Sequence, residues 1–310
     1  WHTLSLHDAL PISWHPIRLI GRLIQLLERA LRRCRLDGYA GGVLLVVGVV
    51  GITLGIVVGV GAGLDRVHPW AGTGWRLFVA WQMVAVRDLC RHGRRVAQAL
   101  QRDNLDAARQ HTAMLVGRDL TRADAAACTR ATIESLAENL ADGVVGPLLG
   151  LMLAGVPGLV AFKAVSTLDS MVGYRTPAYA RLGWLSARLD DVLNFVPARL
   201  TWLLLALVAL LLPGYDAGAC LRLGIRQHAI LPSPNSGWPE AGAAGALGCR
   251  LLGPIYRQGE LVTDCWLGPD KAPEDPGIYN IYRMLVLTAA VTITLLAVGY
   301  FAILLPVRYW

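Results

Sequence analysis

The stretch Gly41–Leu64, with the sequence GGVLLVVGVVGITLGIVVGVGAGL, decides the fold because its 24 residues carry no charge. A helix of about 20 apolar residues spans the hydrocarbon core of a bilayer. A second uncharged run of 24 residues covers 284–307. Both runs therefore predict helices that cross a membrane.

Two shorter uncharged runs cover 143–162 and 200–215. The first contains Pro147 and Pro157, and proline interrupts helices, so we expect this run to be broken or re-entrant. The second run has 16 residues and needs its flanks to cross a bilayer. The sequence thus predicts an all-α, polytopic membrane protein with about four apolar segments, to which amphipathic and extramembrane helices are added. We expect a single domain over 14–310.

Composition supports this class. The chain is 55% hydrophobic and 16% charged, with a mean hydropathy of +0.46, whereas about one quarter of a soluble domain is charged. The net charge of +7 comes from 27 arginines and two lysines. Because arginines that flank membrane spans are the commoner source of such an excess, we expect no nucleic-acid partner. The six cysteines form no Cys-x-x-Cys pair, which argues against a zinc site or a disulfide framework.

The first residues stand apart from the rest of the chain. Residues 1–13 begin with Trp1 and have neither the basic start nor the long apolar centre of a signal peptide. They resemble a translated sequencing adapter, so we expect a non-native leader over this range.

Two helical patterns near the N-terminus concern packing. Residues 18–33 alternate leucine and arginine at helical spacing, which suits either a helix lying on a membrane surface or an amphipathic helix packed on protein. In the first span, Gly51, Gly55, Gly59 and Gly63 are four residues apart. This spacing predicts a flat face for close helix packing.

Three acidic residues form the first candidate for chemistry. Glu134, Glu138 and Asp142 share one helix face at the C-terminal end of a predicted helix. Like charges at this spacing repel by a few tenths of a kcal/mol per pair, and the helix dipole disfavours anions there. A compensating Mg²⁺ or arginine is therefore expected. The alternatives are a solvated acidic face or structural pairing with arginine.

The helix that carries these carboxylates has predicted ends. Thr121 followed by Asp124 is typical of a capping box, the helix runs to about Ala141, and Gly143 ends it. No stretch of the chain alternates like a β-strand. Motifs of P-loop nucleotide sites, zinc peptidases and serine hydrolases do not occur in the sequence.

Two further groups combine acidic and basic residues. Lys163 directly follows the uncharged run 143–162, and Asp169 lies six residues further along. Ionisable groups at membrane depth are functional candidates. Arg188 precedes the adjacent pair Asp190 and Asp191, which suits metal binding. For Lys163 the alternative is that its amine reaches to the membrane interface, and for the aspartates it is ion pairing within the fold.

A fourth group covers 233–240, with the sequence SPNSGWPE. Pro239 is predicted as the first residue of a helix, with Glu240 in its first turn. The glycine-rich segment 241–248 would then pack closely on its neighbours. A loop held by two prolines before a helix N-terminus suits an anion site that includes Asn235. A structural turn is the alternative.

Taken together, these groups resemble the CobD/CbiB family, the adenosylcobinamide-phosphate synthases of cobalamin biosynthesis. The resemblance covers about 14–270, and its stretches occur in the family's order. The matching stretches are HPIRLIG at 15–21, VGRD at 116–119, ESLAEN at 134–139 with DGVV at 142–145, KAV at 163–165 with TLDSMVGY at 167–174, GW at 183–184 with SARLDD at 186–191, and SPN at 233–235 with GWPE at 237–240.

The resemblance implies an ATP-dependent amide ligase of the bacterial inner membrane. Its substrates would be adenosylcobyric acid and (R)-1-amino-2-propanol or its O-phosphate, with the acid activated as an acyl phosphate. Membrane lipid and other cobalamin-assembly enzymes of the membrane are expected partners, and ATP and Mg²⁺ are the expected cofactors. On this basis we assign catalysis to Glu134, Glu138, Lys163, Asp169 and Arg188, cofactor binding to Arg118, Asn139, Asn235 and Glu240, and metal binding to Asp142, Asp190 and Asp191.

The chain departs from the family pattern at Leu231, where histidine is usual, and at Ser166, where asparagine is usual. These departures leave a second hypothesis open, a non-catalytic membrane protein related to the AmpE-like sensing proteins. A transporter is a third hypothesis, because Lys163 lies within an apolar region and glycines break the helices. No inverted repeat in the sequence supports it.

Overall fold

The computed structural model describes residues 16–257 and 260–307, so the expected leader at 1–13 lies outside the described residues. Helices dominate this part of the chain. In chain order they are α1 (Pro16–Arg33), α2 (Tyr39–Val67), α3 (Pro69–Met83), α4 (Val86–Gln101), α5 (Leu105–Ala113), α6 (Ala125–Leu140), α7 (Gly146–Val172), α8 (Trp184–Leu193), α9 (Phe195–Leu211), α10 (Ala217–Gln227), α11 (Gly237–Leu247) and α12 (Ile278–Val307). A π-helical turn, Ala141–Val145, joins α6 to α7, and a short 3₁₀ turn, His228–Ile230, follows α10.

Four short strands lie between α11 and α12, where the sequence predicted none. β1 (Leu251–Leu252) pairs with β4 (Trp266–Leu267), and β2 (Ile255–Arg257) pairs with β3 (Glu260–Thr263), both antiparallel. The prediction was wrong here because strands of two to four residues are too short to show a period of two in the sequence.

The helices divide into two compact units that alternate along the chain. The α2 unit comprises the described residues of 6–85 together with 146–194, and contains α1, α2, α3, α7 and α8. The α6 unit comprises 86–145 and the described residues of 195–310, and contains the other helices and the four strands.

Among the described residues, four helical stretches are long and apolar enough to cross a membrane, namely Tyr39–Val67, Ala125–Val172, Trp184–Leu211 and Ile278–Phe301. Large apolar side chains on the first remain exposed, with Val47 at 62% and Ile56 at 57%. Lipid is the environment in which such exposure is favourable. The prediction of an all-α, polytopic membrane protein is confirmed.

The run 143–162 does not form one straight helix. Ala154 and Gly155 have non-helical dihedral angles, and Gly155 has a φ of +64°. A β-carbon at Gly150 would lie 2.8 Å from the carbonyl oxygen of Gly158, although the two residues would be about 12 Å apart in a continuous helix. The chain therefore reverses at Ala154–Gly155, as the prediction of a broken or re-entrant run required.

Glycines have opposite surroundings in α2 and α11. At Gly51, Gly55, Gly59 and Gly63 of α2, no described atom lies within 4 Å of the place of a β-carbon, apart from the helix itself. The predicted close packing of this face is not found within the described chain. In α11, by contrast, a β-carbon at Gly245 would lie 2.6 Å from the carbonyl oxygen of Ala219 in α10. The predicted close packing of 241–248 is confirmed.

Helix α1 packs on protein through its leucines. Leu23, Leu27 and Leu31 contact the core of the α2 unit, and Ile20 and Ile24 are buried in it. The structure therefore supports the amphipathic helix packed on protein as the interpretation of this leucine face.

Candidate functional site

Helix α6 carries the first group of predicted residues, and its ends differ from the prediction. Its N-cap is Asp124, which accepts a hydrogen bond from the Ala127 N–H at 2.7 Å, whereas Thr121 bonds to Asp119. Gly143 does not end the helical path, because residues 141–145 continue it as a π-helical turn. Such turns insert one extra residue into a helix and occur often at functional sites.

Glu134 is buried, with a donor on each carboxylate oxygen. Its Oε2 accepts a hydrogen bond from Arg118 Nη2 at 2.5 Å, and its Oε1 accepts one from the Leu252 N–H at 2.8 Å. Arginine and a backbone amide are both donors that bind a carboxylate strongly. The sequence left open a bound Mg²⁺, a solvated acidic face or pairing with arginine, and pairing with arginine describes Glu134.

The residue that Glu134 holds has an unusual backbone. Leu252 has a φ of +64°, a left-handed conformation that costs a non-glycine residue about 1–2 kcal/mol. Arg130, one turn before Glu134 on α6, donates from Nε to the Leu252 carbonyl at 3.1 Å and from Nη1 to the Glu274 carbonyl at 2.7 Å. Glu134 and Arg130 of α6 thus form hydrogen bonds with the N–H and the carbonyl group of the same strained residue, Leu252.

Glu240 completes this region from the first turn of α11, with only 5% of its surface exposed. Burial raises its pKa well above the ordinary glutamate value, and the negative charges of Glu138, Glu134 and Asp142 raise it further, while Arg118 opposes them. The predicted residues Arg118, Glu134, Glu138, Asp142 and Glu240 are therefore brought together, and we call these five the Glu134 cluster.

Two predicted cofactor-binding residues make other contacts. The Asn139 amide nitrogen donates to the backbone oxygen of Ser135 at 2.8 Å, within its own helix. Asn235 accepts a hydrogen bond from Arg199 Nη1 at 3.2 Å, beside the ring of Trp238. Helix α11 begins at Gly237, so Pro239 is its third residue. The prediction that Pro239 is the first residue of this helix was wrong.

The remaining predicted residues lie in the α2 unit. Asp190 interacts electrostatically with Asp169, Asp191 and Lys163, which brings residues of α7 and α8 together. Lys163 is 8% exposed. We call Lys163, Asp169, Asp190 and Asp191 the Asp190 cluster.

Two glycines of the α2 unit make room for this cluster. A β-carbon at Gly173 would collide with the carboxylate of Asp169, and one at Gly183 would collide with the Val172 carbonyl. Next to them, the Tyr174 hydroxyl donates to the Ser170 carbonyl at 2.6 Å. Burial raises the pKa of Tyr174, and so does the charge of Asp169. The hydroxyl therefore stays protonated at neutral pH.

Arg188 lies at the edge of the Asp190 cluster. Its Nη1 is 3.7 Å from Asp191 Oδ2, three residues later on the same helix, and 62% of its side chain is exposed. An ion pair that is so exposed contributes little to stability. The side chain is therefore able to turn toward a bound anion at small cost.

The donor chemistry of both clusters fits Mg²⁺ bound together with phosphate. Their anionic ligands are carboxylate oxygens, and Asn194, four residues after Asp190, adds a buried amide oxygen that has no hydrogen-bond partner among the described residues. No group of three or more His, Cys, Asp or Glu side chains in 16–257 and 260–307 forms a ready-made metal site. Mg²⁺ commonly takes one or two carboxylates and completes its shell with water and phosphate.

Sequence reasoning missed Arg130, Asn194 and Leu252. Arg130 stands one helical turn before Glu134, and Asn194 stands one turn after Asp190, so helical spacing was an available signal for both. For Leu252 the sequence held no signal, since leucine rarely adopts a positive φ.

The structure defines a polytopic α-helical membrane protein with two charged clusters, one in each unit. The chain belongs to the CobD/Cbib protein family, whose model matches residues 5–288. This confirms the family resemblance seen in the sequence.

Named relatives agree with the family. The cobalamin biosynthesis protein CobD of Klebsiella pneumoniae is 42% identical over 305 residues, which cover 97% of this chain and 93% of that protein. CobD of Geobacter metallireducens is 42% identical over 292 residues, with 92% of each chain covered. The cobalamin biosynthesis protein CbiB of Salmonella typhimurium is 43% identical over 280 residues, or 88% of this chain and 86% of the relative. No solved structure matches the chain.

Proposed function

We propose that this protein works in cobalamin biosynthesis, in the bacterial inner membrane, as an ATP-dependent amide ligase. It would join the carboxylate of adenosylcobyric acid to (R)-1-amino-2-propanol or its O-phosphate. Similarity to relatives named as cobalamin biosynthesis proteins supports the pathway. The observation that carries the proposal is that two buried carboxylates, Glu134 and Glu240, and the half-buried Arg118 come from separate parts of the chain into one group of charges.

The chemistry explains why such a protein needs many charges. Joining a carboxylate to an amine removes one carboxylate oxygen, and this oxygen is a poor leaving group. When the terminal phosphoryl group of ATP is transferred to that oxygen, ADP leaves. The amine nitrogen then bonds to the carbonyl carbon, phosphate leaves, and the nitrogen loses a proton. The protein must neutralise phosphate charge and accept this proton.

The Glu134 cluster is proposed to manage the proton. Glu240 has a raised pKa, and a carboxylate of this kind is a better base for an ammonium or amine proton than an ordinary glutamate. Glu138 of the same cluster is exposed and would contact the polar end of the amine substrate. Glu134 would act as a positioning residue, because Arg118 and the Leu252 amide already engage its oxygens.

The Asp190 cluster is proposed to manage the phosphates. Lys163 is a nearly buried cation and would neutralise phosphate oxygens strongly in a region of low dielectric constant. Asp190 would hold Mg²⁺, with the charge of Asp191 stabilising it from nearby, and the bound ion would supply Lewis-acid stabilisation of phosphate charge. Arg188 would move from Asp191 to a phosphate oxygen.

The decisive test is product formation by the purified full chain in lipid nanodiscs. The reaction contains adenosylcobyric acid, the amine in either form, ATP and Mg²⁺, and mass spectrometry detects the amide. We expect ATP-dependent product from the native chain. Glu138→Ala and Asp190→Ala should each lower the rate about 100-fold or more while the protein stays folded.

A matched control is Asp264→Asn, which alters an exposed carboxylate outside both clusters and should leave the rate unchanged. Normal turnover in both cluster variants would refute the assigned roles. Corrinoid binding by the native chain without ATP-dependent product would instead favour the non-catalytic, AmpE-like hypothesis.

A further inference from the structure

The side chain of Asn194 has a buried oxygen that is left without a donor. Asn194 is 2% exposed and caps the C-terminal end of α8. Its Nδ2 donates to Asp190 Oδ2 at 2.9 Å, whereas its Oδ1 has no hydrogen-bond partner in the described part of the chain. With Asp190 ionised, the opposite amide orientation would place Oδ1 against a carboxylate oxygen, so the hydrogen bond to Asp190 fixes which atom is left over.

The charges around this oxygen are mainly negative. Asp190 lies near both Asp169 and Asp191, and Lys163 is the cation that opposes them. Arg188, which pairs with Asp191, is mostly exposed to solvent and is therefore screened. Asp190 and Asp191 also lie in the last turn of α8, where the helix dipole favours a cation. A buried acceptor and a set of carboxylates thus require the same kind of ligand.

We propose that Asn194 Oδ1 and the Asp190 carboxylate are ligands of a divalent cation in the α2 unit. The proposal rests on the proposed function, in which this cation is the Mg²⁺ that accompanies ATP. All the donors are oxygens, which hard cations such as Mg²⁺ prefer, and one carboxylate with one amide oxygen leaves room for water and phosphate. Asp169 and Asp191 would stabilise the cation from nearby.

The test measures metal binding without nucleotide or corrinoid. Mn²⁺ replaces Mg²⁺ as the probe, and electron paramagnetic resonance reports free Mn²⁺ during titration of the purified full chain. Asn194→Ala should weaken Mn²⁺ binding at least about tenfold. Asn194→Asp should bind Mn²⁺ at least as tightly as the native chain, because it keeps an oxygen ligand and adds negative charge. Asp190→Asn should weaken binding as Asn194→Ala does.

Asn280→Ala is the matched control. The Oδ1 of Asn280 already accepts a hydrogen bond from Arg283 in the α6 unit, so its loss should not change Mn²⁺ affinity. The inference is overturned if the native chain shows no saturable Mn²⁺ binding or if Asn194→Ala binds as tightly as the native chain. It is also overturned if Asn194→Asp is weakened as much as Asn194→Ala, since that result indicates a structural role.

These outcomes separate the inference from the proposed function. Amide product together with native Mn²⁺ affinity in Asn194→Ala would reject this cation site and leave the ligase standing. Mn²⁺ binding that depends on Asn194, without any amide product, would support the site and reject the ligase.

Discussion

In the Glu134 cluster a buried carboxylate meets a donor on each oxygen, whereas beside the Asp190 cluster the amide oxygen of Asn194 is left without a donor among the described residues. Arg118 and the Leu252 amide engage Glu134 at 2.5 and 2.8 Å. Asn194 Oδ1, beside Asp190, has no donor among the described residues. Both clusters combine carboxylates with one nearly buried cation, so residue types alone do not distinguish them.

The difference suggests two tasks. A buried charge whose partners are complete anchors the fold, since removing one partner leaves the other unpaired. A group with more acceptors than donors is stabilised by an added cation instead. Glu134, to which the family resemblance led us to assign catalysis, therefore anchors the strands, and the Asp190 cluster is where a ligand is most needed.

The proposed difference between the clusters would be refuted if loss of a carboxylate charge changed the free energy of unfolding equally in both. Glu134→Gln should lower the free energy of unfolding by about 3 kcal/mol, because it removes the buried carboxylate that pairs with the half-buried Arg118. We expect the lower end of the range for such pairs, since Glu240 also faces Arg118. The measurement is reversible unfolding in detergent, followed by circular dichroism.

Asp190→Asn is the matched control for Glu134→Gln, because it makes the same change from carboxylate to amide. It should alter stability by less than about 1 kcal/mol, since it relieves repulsion from Asp169 and Asp191 while it weakens the contact with Lys163. Equal losses in the two variants would show that both clusters are anchors.

Charge-free runs made the fold class predictable, because hydropathy alone decides whether a helix tolerates lipid. The members of both clusters were predictable as motifs. Their contacts were not, since the grouping of Glu240 with Glu134 depends on tertiary packing. The π-helical turn at Asp142 was also hidden, because helical spacing assumes a regular helix.

Leu252 offers a way to sharpen the anchor interpretation. Leu252→Ile keeps the apolar volume but places a β-branched side chain at a φ of +64°, which such residues avoid. We expect a loss of about 1–2 kcal/mol in the free energy of unfolding. Leu251→Ile is the control, because Leu251 is also buried in β1, at 0% exposed against 5% for Leu252, and does not have a positive φ.

If Arg130 and Glu134 impose the strain, Leu252→Ile should be clearly less stable than Leu251→Ile. Similar stability of the two variants would mean that the segment relaxes freely. In that case the Glu134 cluster would not hold the strands in place.

The smallest and most specific effect is expected from replacing Glu240, which should change the pH dependence of stability. Burial and the charges of Glu138 and Glu134 raise its pKa in the folded state. A carboxyl group whose pKa is raised in the folded state stabilises the protein at pH values below the ordinary glutamate pKa. This contribution is lost as the pH rises through the pKa of the folded state. Glu240→Gln fixes the neutral form, so it should unfold at a higher temperature than the native chain at alkaline pH.

The difference between Glu240→Gln and the native chain should shrink as pH falls, because the native carboxyl then becomes neutral as well. This difference is measured by thermal unfolding of both proteins from pH 5 to pH 9. A change of 1 kcal/mol in the free energy of unfolding should shift the Tm by about 2–4 °C. Asp264→Asn, at an exposed carboxylate outside both clusters, should keep the native profile. If Glu240→Gln were instead less stable than the native chain at alkaline pH, Glu240 would be a paired anion like Glu134, and the proton-accepting role would have to move to Glu138.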